Sequence, residues 1–78
     1  MSDIEGVKVL ALVCTDTPRQ IFAIFPLTSE ARARECARVL GAMVVYRWLV
    51  DGRVYSRSGA PSALWILDEG AGEYRVST

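Results

Sequence analysis

The first apolar stretch of the chain, residues 7–14, carries only one polar side chain, that of Lys8. An apolar run of this length that is rich in valine and leucine is typical of a strand with both faces buried. Residues 15–18 supply turn-forming side chains, and residues 19–25 return as a second apolar run that Pro26 ends. The two runs therefore predict an antiparallel hairpin with an interior first strand.

Helical spacing replaces the strand pattern between Ser29 and Leu40. Small or apolar residues recur there at i, i+3, i+4 and i+7 and predict a buried stripe of Ala33, Cys36, Ala37 and Leu40. Thr28 is a suitable N-cap, and Gly41 can end the helix in the left-handed conformation. The arginines outside the stripe are interpreted as a solvated surface rather than a binding site: Arg32, Arg34 and Arg38.

A second hairpin is predicted over residues 43–58, where two runs of β-branched and aromatic residues flank Asp51 and Gly52. Both central residues of a type I′ turn need positive φ, and an Asp-Gly pair meets that need well. A two-residue turn also sets the register, so that Val50 opposes Arg53 and the earlier and later pairs follow in order.

The register divides this hairpin into two faces, because successive side chains of a strand alternate. The aromatic face comprises Val44, Tyr46, Trp48, Val50, Arg53, Tyr55 and Arg57. The opposite face comprises Val45, Arg47, Leu49, Val54 and Ser56. Tryptophan, tyrosine and arginine dominate binding hot spots, so the aromatic face is a candidate contact surface. Large aromatic rings also fit beneath a helix with small residues, and this buried alternative is slightly favoured by the sequence.

The C-terminal part predicts two further strands, at residues 63–67 and 73–76, joined by a flexible acidic turn at residues 68–72. The resulting order is ββ-α-ββ, followed by a weaker ββ pair. This order predicts one α+β domain over residues 1–78, in which one helix packs on an antiparallel sheet of four to six strands in two layers.

The chemistry of the chain argues against catalysis. Histidine is absent, which removes the usual general base and the commonest metal ligand. Cys14 and Cys36 are the only cysteines, and two isolated thiols cannot form a closed zinc site. We interpret both as reduced, buried small hydrophobes, with a single disulfide as the alternative. The carboxylates are scattered and no phosphate-binding glycine motif occurs, so we expect no enzyme activity, no catalytic residue, no metal and no cofactor.

Charge narrows the classes of partner. Nine basic residues balance nine acidic ones, for a net charge of zero. Residues 19–57 carry seven arginines against three acids, a local charge of +4, and both ends are acidic. This distribution is too weak for a dedicated duplex-DNA binder and too mixed for a DNA mimic. The N-terminal stretch shows neither a signal-peptide nor a membrane-span pattern, so we expect a cytoplasmic protein that contacts no membrane.

Three hypotheses for function follow. The chain is a small protein that binds another protein and blocks it sterically, a single-stranded nucleic-acid-binding module, or an accessory or structural subunit of a larger particle such as a phage. In the first two, the predicted partner-binding residues are Arg53, Tyr55, Arg57, Arg47 and Trp48. We expect the protein to be a monomer or a weak dimer.

The helix TSEARARECARVLG lies between the hairpins VKVLALVC/RQIFAIF and VVYRWLV-DG-RVYSR. In size, element order and lack of catalytic groups the chain resembles the small phage-encoded anti-CRISPR proteins, a functional grouping with many folds. The resemblance implies an inhibitor in the host cytoplasm that docks on a CRISPR effector, often the multi-subunit surveillance complex. Such an inhibitor prevents target-DNA binding or nuclease recruitment. The neutral charge favours direct protein contact over DNA mimicry.

Overall fold

The computed structural model describes residues 6–18, 20–55 and 63–77. Over these residues, six strands form a closed antiparallel barrel, and one α-helix packs against its outer side. The elements in chain order are β1 (Val7–Val13), β2 (Ile21–Pro26), a 3-10 turn (Leu27–Ser29), α1 (Glu30–Leu40), β3 (Met43–Val50), β4 (Arg53–Val54), β5 (Leu64–Asp68) and β6 (Glu73–Ser77). The order around the barrel is β1-β2-β6-β5-β4-β3, and β3 pairs with β1 again.

The predicted fold class, a two-layer α+β domain with an open sheet, is wrong. The three hairpins and the helix occur in the predicted order, but the sheet closes on itself. Closure uses two short seams: β2 meets β6 through the pair Ile24 and Tyr74, and β4 meets β5 through the pair Arg53 and Leu64. Local sequence patterns identify strands and turns, but they do not show whether two distant sheet edges meet.

From Val9 to Val13, strand β1 is buried on both of its faces, as its apolar sequence predicts, whereas Val7 and Lys8 are exposed. On one face, Val9, Ala11 and Val13 form the barrel interior together with Ile24 and Leu49. On the other face, Leu10 and Leu12 pack against Phe25, Ala33 and Ala37. Two separate apolar clusters therefore share one strand. Full burial of each valine or leucine stabilises the fold by about 1.5–3 kcal/mol, so β1 carries a large share of the folding energy.

The helix crosses over β1. Strands β2 and β3 both pair antiparallel with β1, so they run parallel to each other, and α1 connects them across the strand that lies between. Fully buried Ala33 and nearly buried Ala37 let the helix approach the sheet closely. Gly41 ends the helix at φ 70°, as predicted, and its N–H donates to the carbonyl of Ala37.

Two details of the predicted helix are wrong. The N-cap is Ser29 rather than Thr28, because the 3-10 turn takes up the residues before it, and Ser29 makes no side-chain capping bond. Leu40, assigned to the buried stripe, is 56% exposed, whereas Cys36 is half-buried against the helix-side cluster. The buried stripe is thus shorter than the periodicity predicts.

The acidic turn between β5 and β6, expected to be flexible, is attached to the helix and to its own strand. The guanidinium of Arg32 donates to the carbonyl oxygen of Ala71 and lies 3.9 Å from the carboxylate of Glu73. Asp68 accepts a hydrogen bond from the Ala71 N–H at 3.2 Å and pairs with Nε of Arg75 at 2.6 Å. Arg32, interpreted above as part of a solvated surface, therefore connects α1 to the last hairpin.

These contacts act on the ionisation of Asp68. The Ala71 N–H and, to a smaller extent, Arg75 lower the pKa of this carboxyl below its ordinary value of 3.8. Since the unfolded chain then binds the proton more readily, the stabilising contribution of Asp68 is present above pH 3.8 and is lost as pH falls through the lower, folded-state pKa.

We predict that Asp68→Asn removes this pH dependence. At neutral pH the variant should unfold at a lower temperature than the parent protein, and the difference should shrink once pH falls below 3.8. Thermal unfolding followed by circular dichroism, at neutral pH and below pH 3.8, measures the difference in unfolding temperature. Asp16→Asn, at an exposed aspartate of the β1–β2 turn, is the matched control. An Asp68→Asn difference that is the same at both pH values would contradict the role assigned to Asp68.

Candidate functional site

The aromatic face lies on the outside of the barrel. Val45, Leu49 and Val54, from the opposite face of the hairpin, pack in the barrel interior instead. Tyr46 is 48% exposed and Tyr55 is 42% exposed. The slightly favoured alternative, in which the aromatic face lies beneath the helix, is therefore wrong. The helix covers only Val44 of that face, because its small buried residues pack chiefly over β1.

The turn that positions these rings has the predicted conformation. Asp51 and Gly52 have φ values of 53° and 80°, as a type I′ turn requires. Val50 pairs with Arg53 as predicted, and the Tyr55 N–H donates to the carbonyl of Trp48 at 2.8 Å. Two of the predicted binding residues, Trp48 and Tyr55, are thus held next to each other on neighbouring strands.

Lys8 completes this surface, although it is not among the binding residues predicted from the sequence. It lies opposite Trp48 in the β1–β3 register. Its Nζ is 4.3 Å from the ring centroid of Tyr46 and 5.7 Å from that of Trp48, both within cation–π range. The available signal was that Lys8 is the single polar residue in an otherwise apolar strand. We call Lys8, Tyr46, Trp48, Arg53 and Tyr55 the ring-cation surface.

The remaining predicted arginines lie differently. Arg53 is exposed and shares the outer side of the hairpin with Val50. Arg47 alternates with Val45 and Leu49, so its backbone position belongs to the interior side. It is nevertheless only half-buried, and its Nη1 donates to the carbonyl oxygen of Tyr46 at 2.9 Å. Arg57 lies outside the described residues. The structure therefore assembles Trp48, Arg53 and Tyr55 with Lys8 and does not add Arg47 to the same side.

Outside the ring-cation surface, the described residues offer few groups for redox chemistry or metal binding. Cys14 and Cys36 are free, so the disulfide alternative does not apply, but both are half-buried and the prediction that they are buried is wrong. Among the described residues no three histidine, cysteine or carboxylate side chains are grouped as a metal site would need. Nor is any helix in this part of the chain both long and apolar enough to cross a membrane. Comparison with family models, with curated proteins and with solved structures finds no match for the chain.

The position of Lys8 makes a testable prediction about Trp48. In a Trp65→Phe background only Trp48 fluoresces, and acrylamide quenching then reports access to its ring. Lys8→Ala should raise the quenching constant, because it removes the side chain beside the indole, and should destabilise the fold by about 0.5–1 kcal/mol. Lys8→Arg keeps a cation on a long stem and is the matched control. Equal quenching in the alanine and arginine variants would show that Lys8 does not lie against the ring in solution.

Proposed function

We propose that this chain is a non-enzymatic protein-binding module that contacts its partner through the ring-cation surface. The observation that carries the proposal is the partial exposure of Tyr46, Trp48 and Tyr55, of which the first two rings lie within cation–π range of the Lys8 ammonium group. Half-exposed aromatic rings lose apolar hydration when a partner covers them, and they keep a polar tip for hydrogen bonding. Such rings beside cations are the side chains that carry most of the energy at protein interfaces.

The paired backbone that holds these side chains supports the same function. Tyr46 and Trp48 lie on β3, which pairs with β1 along seven consecutive residues from Met43 to Leu49. Lys8 comes from that neighbouring strand, and Tyr55 is attached through its backbone to Trp48. A surface built on paired strands loses little conformational entropy on binding, so more of the contact energy remains as affinity.

The charge of the surface indicates the chemistry of the partner. Lys8 places positive charge beside the Tyr46 and Trp48 rings, Arg53 lies on the same outer side of the hairpin, and Asp51 is the only acid in the described part of that hairpin. A partner patch that combines carboxylates with apolar side chains complements this arrangement. Charge pairs at the rim of such a contact mainly raise the association rate, and the rings supply most of the affinity.

A module of this kind acts by covering a site on its partner. Steric inhibition needs no catalytic group, which agrees with the chemistry of the chain. Inhibition of a CRISPR surveillance complex stays a prediction, and adding the purified chain to such a complex and measuring target-DNA binding would test it.

We predict that Tyr46→Ala combined with Arg53→Glu abolishes partner binding without unfolding the barrel. Both positions are exposed, so far-UV circular dichroism should be unchanged, while loss of a ring and reversal of a charge should weaken the complex by at least about 2 kcal/mol. Quantitative mass spectrometry of proteins captured by the parent and variant chains measures the loss.

The matched control for this experiment is Arg38→Glu, which reverses a charge on the exposed side of the helix. A partner is assigned to the ring-cation surface when the double variant loses it and Arg38→Glu retains it. Capture of the same proteins, in the same amounts, by all three chains would overturn the proposal.

Single-stranded nucleic acid is the alternative that the exposed rings also favour, since bases stack on aromatic side chains of barrels. Against it, Lys8 already occupies one face of the Tyr46 ring, at 4.3 Å from the centroid. We therefore predict no change in fluorescence anisotropy of labelled single strands at low salt, where counterion release most favours binding. If labelled single strands bind tightly under these conditions and Tyr46→Ala removes that binding, the partner is nucleic acid and not a protein.

A further inference from the structure

A cleft lies at one end of the barrel, and none of the five residues of the ring-cation surface is among its lining residues. The cleft has a volume of about 480 Å³ and lies between the start of β1, the β3–β4 turn and the inner side of the last hairpin. Its lining includes the aliphatic residues Val7 and Leu49 and the aromatic residues Trp65 and Tyr74. Both rings also pack against the interior cluster, so the core of the barrel holds them in place.

The electrostatics of the cleft have one sign. Among the described residues that line it, Asp51 is the only one with an acidic or basic side chain. The faces of the Trp65 and Tyr74 rings are also negative, because aromatic rings carry a quadrupole. Asp51 is held by the type I′ turn at φ 53°, so its place at the cleft is set by the backbone.

We propose that this cleft binds an organic cation, in the form of an alkylated ammonium group. Aromatic faces attract such a group, and a carboxylate at the rim balances its charge. The aliphatic walls accept the methyl groups, which a metal ion or a simple inorganic cation does not carry. The same chain already places an ammonium group over a tyrosine and a tryptophan, in the contact of Lys8 with Tyr46 and Trp48.

Other classes of ligand fit the cleft less well. An anion would meet the Asp51 carboxylate with no basic side chain among the described lining residues to offset it. A neutral apolar ligand would gain contact with the walls. It would also displace water from the Asp51 carboxylate, however, without supplying a positive charge in its place. An organic cation is the class of ligand that complements both the aliphatic and aromatic walls and the Asp51 carboxylate.

Choline and dimethylbutanol, its uncharged carbon analogue, test the proposal, because the two molecules have the same shape. Chemical shifts of the Gly52 amide and of the Trp65 indole N–H follow binding during titration of the full chain. Choline should give saturable shifts, whereas sodium chloride at the same ionic strength should not. Dimethylbutanol should bind about fivefold more weakly or not at all, because it lacks the charge that pairs with Asp51.

The substitution Asp51→Asn isolates the contribution of the carboxylate. Asn-Gly is a favoured type I′ pair, so the turn and the fold should persist. Choline affinity should fall about fivefold, and weak binding of dimethylbutanol should not change. Asp16→Asn, an equal loss of charge in the β1–β2 turn, should leave choline affinity unaltered.

Free Nε-trimethyl-lysine forms a further arm of the experiment, since the same head group occurs on small metabolites and on modified side chains. Tighter binding of choline assigns the cleft to small molecules, and tighter binding of trimethyl-lysine assigns it to a modified side chain. Equal binding of choline and dimethylbutanol, absence of saturable shifts with either cation, or unchanged choline affinity in Asp51→Asn would each overturn the proposal.

Discussion

The burial of β1 on both faces is the constraint on which the rest of the structure depends. One strand supplies Val9, Ala11 and Val13 to the barrel interior and Leu10 and Leu12 to the helix-side cluster. A strand buried in this way must have partners along both edges, because unpaired backbone groups are costly away from water. Strands β2 and β3 supply these partners, and the helix that connects them has to cross over β1. The position of Tyr46 and Trp48 on the outside of β3 follows from that arrangement.

The barrel is held unevenly around its circumference. The β1–β2 and β1–β3 ladders are long, whereas β2–β6 and β4–β5 each have one register pair among the described residues. The last hairpin is therefore attached through those pairs, through Trp65 and Tyr74 in the interior, and through the Arg32 contact with Ala71. Local stability falls where few contacts cross, so this hairpin is expected to open before the β1 region does. A ligand in the cleft, whose walls come from both sides of the β4–β5 seam, would oppose that opening.

Much of the local structure could be predicted, because it is encoded by neighbours in sequence. Asp51-Gly52 sets its own turn, and Gly41 ends its own helix, by positive φ alone. Closure of the barrel could not be predicted in this way, since it depends on pairs such as Ile24 with Tyr74, which are fifty residues apart. The contacts of Arg32 and Lys8 could not be predicted for the same reason. The partner of Arg32, Ala71, is 39 residues away, and the rings beside Lys8 lie on β3. For the candidate site, the sequence predicted that Trp48, Arg53 and Tyr55 share one face of the hairpin. It did not predict that this face is exposed.

The Asp51-Gly52 turn connects the two proposed sites. Its register places Tyr55 beside Trp48 on the outside of the barrel, while Asp51 is also one of the residues that line the cleft. Its second residue also packs against β5: a Cβ at Gly52 would lie 2.6 Å from the Leu64 side chain, and the Gly52 carbonyl accepts from Trp65 at 2.7 Å. A substitution that removes positive φ at this turn would therefore disturb both sites and the β4–β5 seam together. One that keeps the turn and removes only the Asp51 charge leaves the aromatic rings and the β4–β5 seam in place, so its effect on the cleft can be measured apart from an effect on the fold.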